Sequence, residues 1–387
     1  IRLRFRGVKL RVARVEVGFV DREVEVERVL GDSPFIGYNM VTVLYGPKGC
    51  GKTTFFRVLA RSIDPGRHGV VVAIANRVLK RREREVVELA RLYAPLSVLE
   101  RLGESARKVL EKIQVQTPLT PISISMRGVD VGYAALKLAR AALMSGADIR
   151  RVVVVADEVD ARNPHMFKGW LEGLADTVSE YVEQYASRDV ELSVVILTSD
   201  ATAARAMEVV GDKVWWALMW NLPREAAREY IQQLGLEKIA SRELGVPMGD
   251  VEELLWRLAG GNPRALESIM RKGVASWLND TLLKVVNVLR ELRGSIGDQR
   301  LWKDLDRISE STDNIVEAPH LKRRLLAANI AIQVWGTQPI SELPREAWVG
   351  RWYAYQLPVY YYAIKAIHRR RSLDIDQRET LEEAMRG

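Results

Sequence analysis

The sequence has few of the residues that build disulfide frameworks and His/Cys metal sites. Its 387 residues include one cysteine, Cys50, and four histidines. A single cysteine excludes an internal disulfide, and so few histidines argue against a metal site built from histidine and cysteine. The chemistry of this chain must therefore come from other residue types.

Long apolar runs are also missing. No stretch approaches the roughly 18 uninterrupted apolar residues that a membrane-spanning helix needs. The first segment, IRLRFRGVKLRV, is basic but lacks the apolar core of a signal peptide. We therefore expect no membrane segment and a cytoplasmic location.

The charge balance is moderately basic. There are 58 Lys and Arg against 50 Asp and Glu, which gives a formal net charge of +8. This excess permits nucleic-acid binding without requiring it. Hydrophobic residues make up 48% of the chain, which is typical of a globular protein, and the length predicts two or three domains.

Apolar strands alternate with helical segments through the first part of the chain. Strands are predicted at VTVLY, GVVVAIAN, TPISISM, VVVVAD, ELSVVIL and GDKVWWALMW, and the alternating first segment predicts one or two strands with a basic face. Helices are predicted at TTFFRVLARSI, from Arg77 to about Gln114, at YAALKLARAALMSG and around Trp170 to Tyr185. This alternation predicts a parallel sheet with helices on both faces.

The pattern becomes mainly helical from Asn221 onward. We place domain boundaries near residues 222 and 274, which divides the chain into segments 1–221, 222–273 and 274–387. No internal repeat or low-complexity tract is found.

A glycine-rich turn joins the first strong strand to the helix that follows. It fits the pattern G-x-x-x-x-G-K-[ST], and its position between a strand and a helix is the context that this phosphate-binding motif requires. Glycines let backbone N–H groups converge on phosphates, the lysine reaches the β and γ phosphates, and the threonine hydroxyl binds Mg²⁺. The predicted binding residues are Gly46, Pro47, Lys48, Gly49, Cys50, Gly51, Lys52, Thr53 and Thr54.

Two adjacent acids follow the strand VVVVA. Asp157 is predicted to hold the Mg²⁺ shell together with Thr53, and Glu158 to polarise a water molecule for attack on the γ phosphate. Asp160 is the alternative catalytic acid. The pair favours ATP hydrolysis over transfer of phosphate to a small-molecule acceptor.

The strand ELSVVIL ends in polar residues. In a phosphate-loop sheet of this kind it lies between the first two strands, so its end faces the γ phosphate and the attacking water. Thr198 or Ser199 is predicted to sense that phosphate, and a plain Ser/Thr turn at the strand end is the alternative.

These motifs together resemble a known family. FVDREVEVERVL, the phosphate loop, VVVVADEVD, LTSD and GGNPRAL come in an order similar to the archaeal ATPase family, within the STAND and AAA+ groups of P-loop ATPases. The order is also similar to that of archaeal replication-origin initiators. The resemblance covers about residues 19–272. It implies an α/β ATPase core at 1–221, a helical lid at 222–273 and a winged-helix-like domain at 274–387.

The resemblance also implies roles for residues outside the phosphate loop. Phe19, Val20 and Arg22 match the motif that packs near adenine, with Asp21 standing where the family carries glycine. In the lid, Pro263 matches a proline beside the base. Arg264 matches a sensor arginine that reaches the γ phosphate, a solvated position being the alternative. Arg205 lies at the natural AAA+ position of an arginine finger that acts on a neighbouring subunit, an ordinary surface arginine being the alternative, and the sequence does not identify the finger.

The C-terminal segment suggests a helix, a strand, a wing-like loop and a second strand that leads into a helix. Its basic runs and aromatic residues fit either a nucleic-acid face or an aromatic core with solvated basic rims. The residues concerned are Lys322, Arg323, Arg324, Arg369, Arg370, Arg371, Trp348, Trp352, Tyr360, Tyr361 and Tyr362.

Three functions therefore follow as hypotheses. The first is an ATP-hydrolysing switch or remodeller, requiring ATP and Mg²⁺, whose hydrolysis stays slow until a protein partner or self-association completes the site. The second is a DNA-binding ATPase, similar to initiators or transposition regulators, that contacts duplex DNA through a winged helix. The third is a nucleotide-binding scaffold without turnover.

Overall fold

The structure is a computed structural model, and it describes most of the chain. The described residues are 8–12, 15–30, 40–63, 70–80, 85–93, 113–114, 122–126, 149–157, 159, 161, 163–185, 190–207 and 214–386. The predicted helix YAALKLARAALMSG and the first residues of the N-terminal strand lie outside them.

Thirteen strands are present in this part of the chain. They are β1 (Lys9–Val12), β2 (Val15–Gly18), β3 (Met40–Tyr45), β4 (Val70–Lys80), β5 (Glu85–Tyr93), β6 (Ile113–Gln114), β7 (Ile122–Met126), β8 (Arg151–Asp157), β9 (Glu191–Leu197), β10 (Val214–Leu218), β11 (Ala331–Gln333), β12 (Gln338–Pro339) and β13 (Tyr353–Tyr355).

The α-helices of the same residues follow in chain order. They are α1 (Glu23–Leu30), α2 (Lys52–Ser62), α3 (Pro164–Tyr185), α4 (Arg224–Gln233), α5 (Leu236–Leu244), α6 (Met248–Ala259), α7 (Pro263–Lys272), α8 (Val274–Ile296), α9 (Asp298–Glu310), α10 (Pro319–Ala327), α11 (Pro358–Arg370) and α12 (Gln377–Arg386). Short 3-10 helices form at Ala201–Ala206 and Thr312–Glu317.

The main sheet has nine strands in the order β12-β10-β3-β9-β8-β4-β5-β7-β6. Its five central strands, β10, β3, β9, β8 and β4, are parallel, which confirms the predicted α/β fold. The strand β9 lies between β3 and β8, as expected, so the carboxyl ends of these three strands meet at one edge of the sheet. That edge is where ligands of parallel α/β sheets bind.

Both faces of the parallel sheet are covered by apolar side chains. On one face α1 and α2 pack through residues such as Val26, Phe55 and Phe56. On the other face α3 packs together with Ile332 and Val334 of the C-terminal region. Coverage on both sides explains why the strands are continuous apolar runs rather than alternating ones.

The predicted helix from Arg77 to about Gln114 is wrong over its first part. Residues Val70–Lys80 and Glu85–Tyr93 form a long antiparallel hairpin, with Lys80 opposite Glu85 and Val72 opposite Tyr93. The Glu-, Arg- and Leu-rich composition favours a helix locally. Pairing covers the exposed edge of β4, however, and such tertiary context overrides propensity.

The N-terminal alternation does form strands. In β1, Lys9 and Arg11 are exposed while Val12 is buried, and β1 pairs antiparallel with β2. This matches the predicted strand with a basic outer face. The hairpin packs against α4, where the side chain of Gln233 accepts a hydrogen bond from the Gly18 N–H at 2.7 Å.

The C-terminal region contains the predicted sequence of helix, strand, loop, strand and helix in α10, β11, β13 and α11. The loop between the strands does not project freely, because its strand β12 pairs parallel with β10 at the edge of the main sheet. Apolar residues of α4–α7 and of α8–α12 share one hydrophobic cluster. The winged-helix assignment itself stays a prediction.

Within the described residues, every helix is too short or too polar to cross a bilayer.

Candidate nucleotide site

The glycine-rich loop lies between the end of β3 and the start of α2. Gly49 has φ +91° and Gly51 has φ +103°, a left-handed backbone that favours glycine. A Cβ atom on Gly46 would lie 2.1 Å from the carbonyl oxygen of Met219. The loop therefore needs glycine both for its turns and for its close approach to the segment after β10.

Lys52 begins α2 and is buried. Its Nζ donates hydrogen bonds to the carbonyl oxygens of Gly46 at 2.9 Å and Pro47 at 3.2 Å. Burial lowers the pKa of Lys52 from its ordinary value, while Cys50 and Asp157 oppose that change. The Lys52 Nζ also donates to the Cys50 Sγ at 3.6 Å. A buried ammonium held by such neutral groups would gain strongly from a polyphosphate beside it.

Thr53 and Asp157 come from different elements and meet at the edge of the sheet. The Thr53 hydroxyl, in the first turn of α2, donates to Oδ1 of Asp157 at 2.8 Å. Asp157 ends β8 and is 2% exposed, and Nη2 of Arg57 lies 3.8 Å from its Oδ2. A hydroxyl beside a carboxylate is the oxygen donor set that Mg²⁺ prefers.

The residues of this site fit ATP and Mg²⁺. The loop offers the backbone N–H groups at the start of α2, where the helix dipole adds partial positive charge, and Lys52 adds a full one. Among the described residues there is no group of three or more His, Cys, Asp or Glu side chains arranged to hold a metal ion. The oxygens of Thr53 and Asp157 are the ones that would hold Mg²⁺ here.

Thr198 and Ser199 follow β9 directly, next to the loop strand. The Thr198 N–H donates to the carbonyl oxygen of Leu44 at 3.2 Å, and its hydroxyl accepts from the Asp200 N–H at 3.2 Å. Thr198 is buried and Ser199 is partly exposed. These hydrogen bonds of Thr198 fit the alternative prediction, a plain Ser/Thr turn at the end of the strand. A sensing role for Thr198 or Ser199 stays a prediction.

The segment before α1 is hydrogen-bonded to the phosphate loop through Arg22. The Arg22 guanidinium is buried, pairs with the buried carboxylate of Glu25, and donates to the carbonyl oxygens of Cys50 at 2.8 Å and Trp220 at 3.1 Å. Asp21, at the family's glycine position, has φ +57°, a left-handed conformation that explains the usual glycine.

A small cavity opens beside this segment. Phe19, Val20 and Arg22 line it together with Cys50, Gly51 and Thr54 of the loop and Pro263 of the lid. The residues predicted to lie near adenine, Phe19, Val20, Arg22 and Pro263, are thus brought together from two distant parts of the sequence beside the phosphate loop. The cavity is also lined by Tyr230 and Glu267, whose side chains share a 3.0 Å hydrogen bond and which the sequence did not single out.

The lid helix α7 starts directly on the loop. Asn262 caps it by accepting from the Ala265 N–H at 3.0 Å, and the Arg264 N–H lies 3.4 Å from the carbonyl oxygen of Gly49. A Cβ on Gly49 would lie 2.5 Å from the Cβ of Arg264. The predicted sensor arginine is therefore exposed but adjacent to the phosphate loop.

The structure does not place three of the predicted residues at this site. Glu158 and Asp160 lie outside the described residues, so the choice between them as catalytic acid stays a prediction. Arg205 is exposed on the 3-10 helix after β9, and its role as an arginine finger stays a prediction.

The C-terminal aromatic residues mostly form a core. Trp348, Tyr360, Tyr361 and Tyr362 are buried, whereas Trp352 is partly exposed. The run Arg369 to Arg371 is neutralised by ion pairs with Glu383, Glu379 and Asp306. Of the two predicted alternatives, the aromatic core with a solvated basic rim describes these residues.

A family model described as an ATPase domain predominantly from Archaea matches residues 19–269, close to the range of the predicted resemblance. This match confirms the expected archaeal ATPase family. No curated protein and no solved structure matches the chain. The matched range covers more than half of the 387 residues and holds the phosphate loop, Asp157 and the start of the lid helix. The chain therefore belongs to the family of ATPase domains found predominantly in Archaea.

Proposed function

We propose that the protein is a Mg²⁺-dependent ATPase that works as a nucleotide-dependent switch. Family membership supports nucleotide binding and ATP hydrolysis in general. The observation that carries the proposal is the meeting of three elements at one point: the loop before α2, the carboxyl end of β8 and the start of α7.

Bound Mg²⁺·ATP would supply a γ-phosphoryl group that water can attack. Lys52 would contact the β and γ phosphates, and Thr53 and Asp157 would hold Mg²⁺. Glu158, one residue after Asp157, would orient and deprotonate the attacking water. Arg264 would contact the γ phosphate and lose that contact after hydrolysis, so the lid position would report the nucleotide state.

Binding of ATP to the full chain tests this proposal. Lys52→Ala should abolish measurable Mg²⁺·ATP binding in calorimetric titration, because the buried ammonium is replaced by a methyl group. Lys303→Ala changes an exposed lysine on α9 and serves as the control. Equal ATP affinity in the Lys52 variant and the control would contradict the proposed site.

A DNA-binding function is the second candidate. Trp335 and Trp352 are partly exposed with ring centroids 5.4 Å apart, and the Arg351 guanidinium lies 5.6 Å from the Trp352 ring. Exposed aromatic rings beside a cation are suited to stacking on bases. The neutralised run at Arg369 to Arg371 speaks against a broad basic face.

Salt dependence separates this second candidate from the switch alone. If duplex DNA binds through phosphates, its affinity should fall with salt at a log–log slope of about −0.9 per phosphate neutralised. No binding at low salt would remove the DNA hypothesis and leave the switch proposal intact. The protein target of the switch and any self-association stay predictions.

A further inference from the structure

Lys48 is held at both of its backbone groups by side-chain amides from other parts of the chain. Its N–H donates to Oε1 of Gln356 at 2.9 Å, and its carbonyl oxygen accepts from Nδ2 of Asn262 at 3.2 Å. Asn262 caps helix α7 in the predicted lid segment, whereas Gln356 follows β13 in the C-terminal region. The phosphate loop is thus bonded to two regions at its third residue.

Asn221 joins these two amides into a closed ring. Its Oδ1 accepts from Nδ2 of Asn262 at 2.8 Å, and its own Nδ2 donates to the backbone oxygen of Gln356 at 3.1 Å. Asn221, Asn262 and Gln356 are 3%, 1% and 2% exposed. Because water cannot replace these bonds easily, breaking one leaves buried polar groups unpaired.

The ring fixes the direction of the peptide group between Lys48 and Gly49 in the phosphate loop. A trans peptide is planar, with its C=O and N–H pointing in opposite directions. Holding the Lys48 carbonyl group therefore holds the N–H of Gly49, which belongs to the same peptide. Gly49 has φ +91° and no side chain, so without such restraint this peptide could rotate easily.

The C-terminal side of the ring continues toward the turn after β9. Nε2 of Gln356 donates to Oδ1 of Asn329 at 3.4 Å, and the same oxygen accepts from the Ala201 N–H at 2.9 Å. Ala201 comes shortly after Thr198 at the end of β9. Two side chains of the C-terminal region, Gln356 and Asn329, thus link the phosphate loop to the turn after β9.

We infer that Gln356 is a positioning residue of the nucleotide site, which closes a buried amide ring around Lys48 and so lets the C-terminal region set the geometry of the phosphate loop. The inference rests on the proposed function, since it assumes that nucleotide phosphates bind this loop. Gln356 itself contacts only protein groups, and its effect on the nucleotide passes through Lys48 and Gly49.

The test compares Mg²⁺·ATP and Mg²⁺·ADP affinities of full-length variants by calorimetric titration. Gln356→Met keeps the length of the side chain but removes both hydrogen bonds. Both affinities should fall about five- to tenfold, the effect of one misplaced neutral hydrogen-bond donor. Turnover at saturating ATP should change much less, because the ring acts on binding of both nucleotides.

Gln333→Met is the matched control. Gln333 is also a buried glutamine of the C-terminal region, but its side chain donates only to the carbonyl oxygen of Trp335, at 3.1 Å. It should lower thermal stability without lowering nucleotide affinity. A similar loss of affinity in both variants would assign Gln356 a merely structural role and overturn the inference.

Asn221→Asp provides a second, independent break of the ring. This variant keeps the oxygen that accepts from Asn262 and removes the N–H that donates to Gln356. It should therefore lower the affinities for both ATP and ADP. The double variant Asn221→Asp/Gln356→Met should lose little more nucleotide affinity than Gln356→Met alone, because the ring is already open. Unchanged affinities in both single variants, with normal binding by the wild-type chain, overturn the inference alone. Absent binding by the wild-type chain overturns the proposed function as well.

Discussion

Arg22 ties the segment before α1 to the phosphate loop. Its guanidinium bonds two carbonyl oxygens and pairs with Glu25, and both charged side chains are almost fully buried. A buried pair of this kind stabilises little by itself compared with apolar packing, but removing one partner leaves an uncompensated charge. Arg22 is therefore expected to matter for stability as well as for the adenine side of the site.

Replacing Arg22 tests this expectation. Arg22→Met should lower the free energy of unfolding by about 3–5 kcal/mol, because the Glu25 carboxylate stays buried without its partner. Arg345→Met, which breaks the exposed pair with Glu342, should cost less than about 1 kcal/mol. Urea unfolding measures both, and equal effects of the two substitutions would contradict the buried role of Arg22.

Lys284 on α8 is a half-buried lysine whose pKa is influenced by the charge of Lys48 in the phosphate loop. Its Nζ donates to the backbone oxygen of Asn329 at 3.2 Å and to the Tyr360 hydroxyl at 3.0 Å. Burial, reinforced by the positive charge of Lys48, lowers the pKa of Lys284 to about 8. Burial also raises the pKa of Tyr360 to about 12, so that hydroxyl stays protonated while Lys284 titrates.

The sign of the resulting pH dependence follows from the two states of Lys284. Between about pH 8 and its ordinary pKa of 10.5 the unfolded chain binds more protons than the folded one, so stability rises with pH. Relative to Lys284→Met, the wild-type free energy of unfolding should rise by up to about 1.4 kcal/mol per pH unit in this window. Urea unfolding measures both proteins across these pH values. If the free energies of unfolding of the wild type and of Lys284→Met changed equally with pH, the assignment would be contradicted.

At the scale of elements, we expect helix α7 of the predicted lid to respond to whether ATP or ADP is bound. It begins at the phosphate loop, with Arg264 beside Gly49. Arg264→Ala should lower ATP affinity about tenfold, the effect of one charged hydrogen bond, and ADP affinity less than about twofold.

Lys272→Ala, an exposed change at the far end of the same helix, is the control for Arg264. It should leave the affinities for both nucleotides at the wild-type value. Titration of both nucleotides into each variant supplies the comparison. Equal losses of ATP and ADP affinity in the Arg264 variant would show that Arg264 does not distinguish the γ phosphate.

The elements that could be predicted from the sequence are those set by local pattern. The strands β3, β8, β9 and β10 are short apolar runs bounded by turns, and the phosphate loop is a contiguous motif. The first part of β4 was predicted as a strand from GVVVAIAN. Its continuation from Arg77 and the strand β5 could not be predicted, because their composition favours a helix and only the sheet edge selects a strand. Gln356 was missed because its partner Lys48 lies 308 positions away in the sequence.

At the scale of the whole molecule, the C-terminal region is part of the ATPase body rather than an appended module. It adds β12 to the edge of the main sheet, packs Ile332 and Val334 against the face that α3 covers, and shares a core with the lid. A nucleotide-driven movement of the lid would therefore be transmitted through shared packing. This arrangement makes the C-terminal region the natural output of the proposed switch.

The most direct test of the central claim is ATP turnover by the full chain, measured together with ATP binding in the wild type and in Glu158→Gln. In the presence of Mg²⁺ the wild type should bind ATP and release phosphate. Without Mg²⁺ it should release none. The variant should bind ATP while hydrolysis falls at least about 100-fold, because the general base is lost. Turnover by Glu158→Gln at the wild-type rate, or failure of the wild-type chain to bind ATP, would contradict this account.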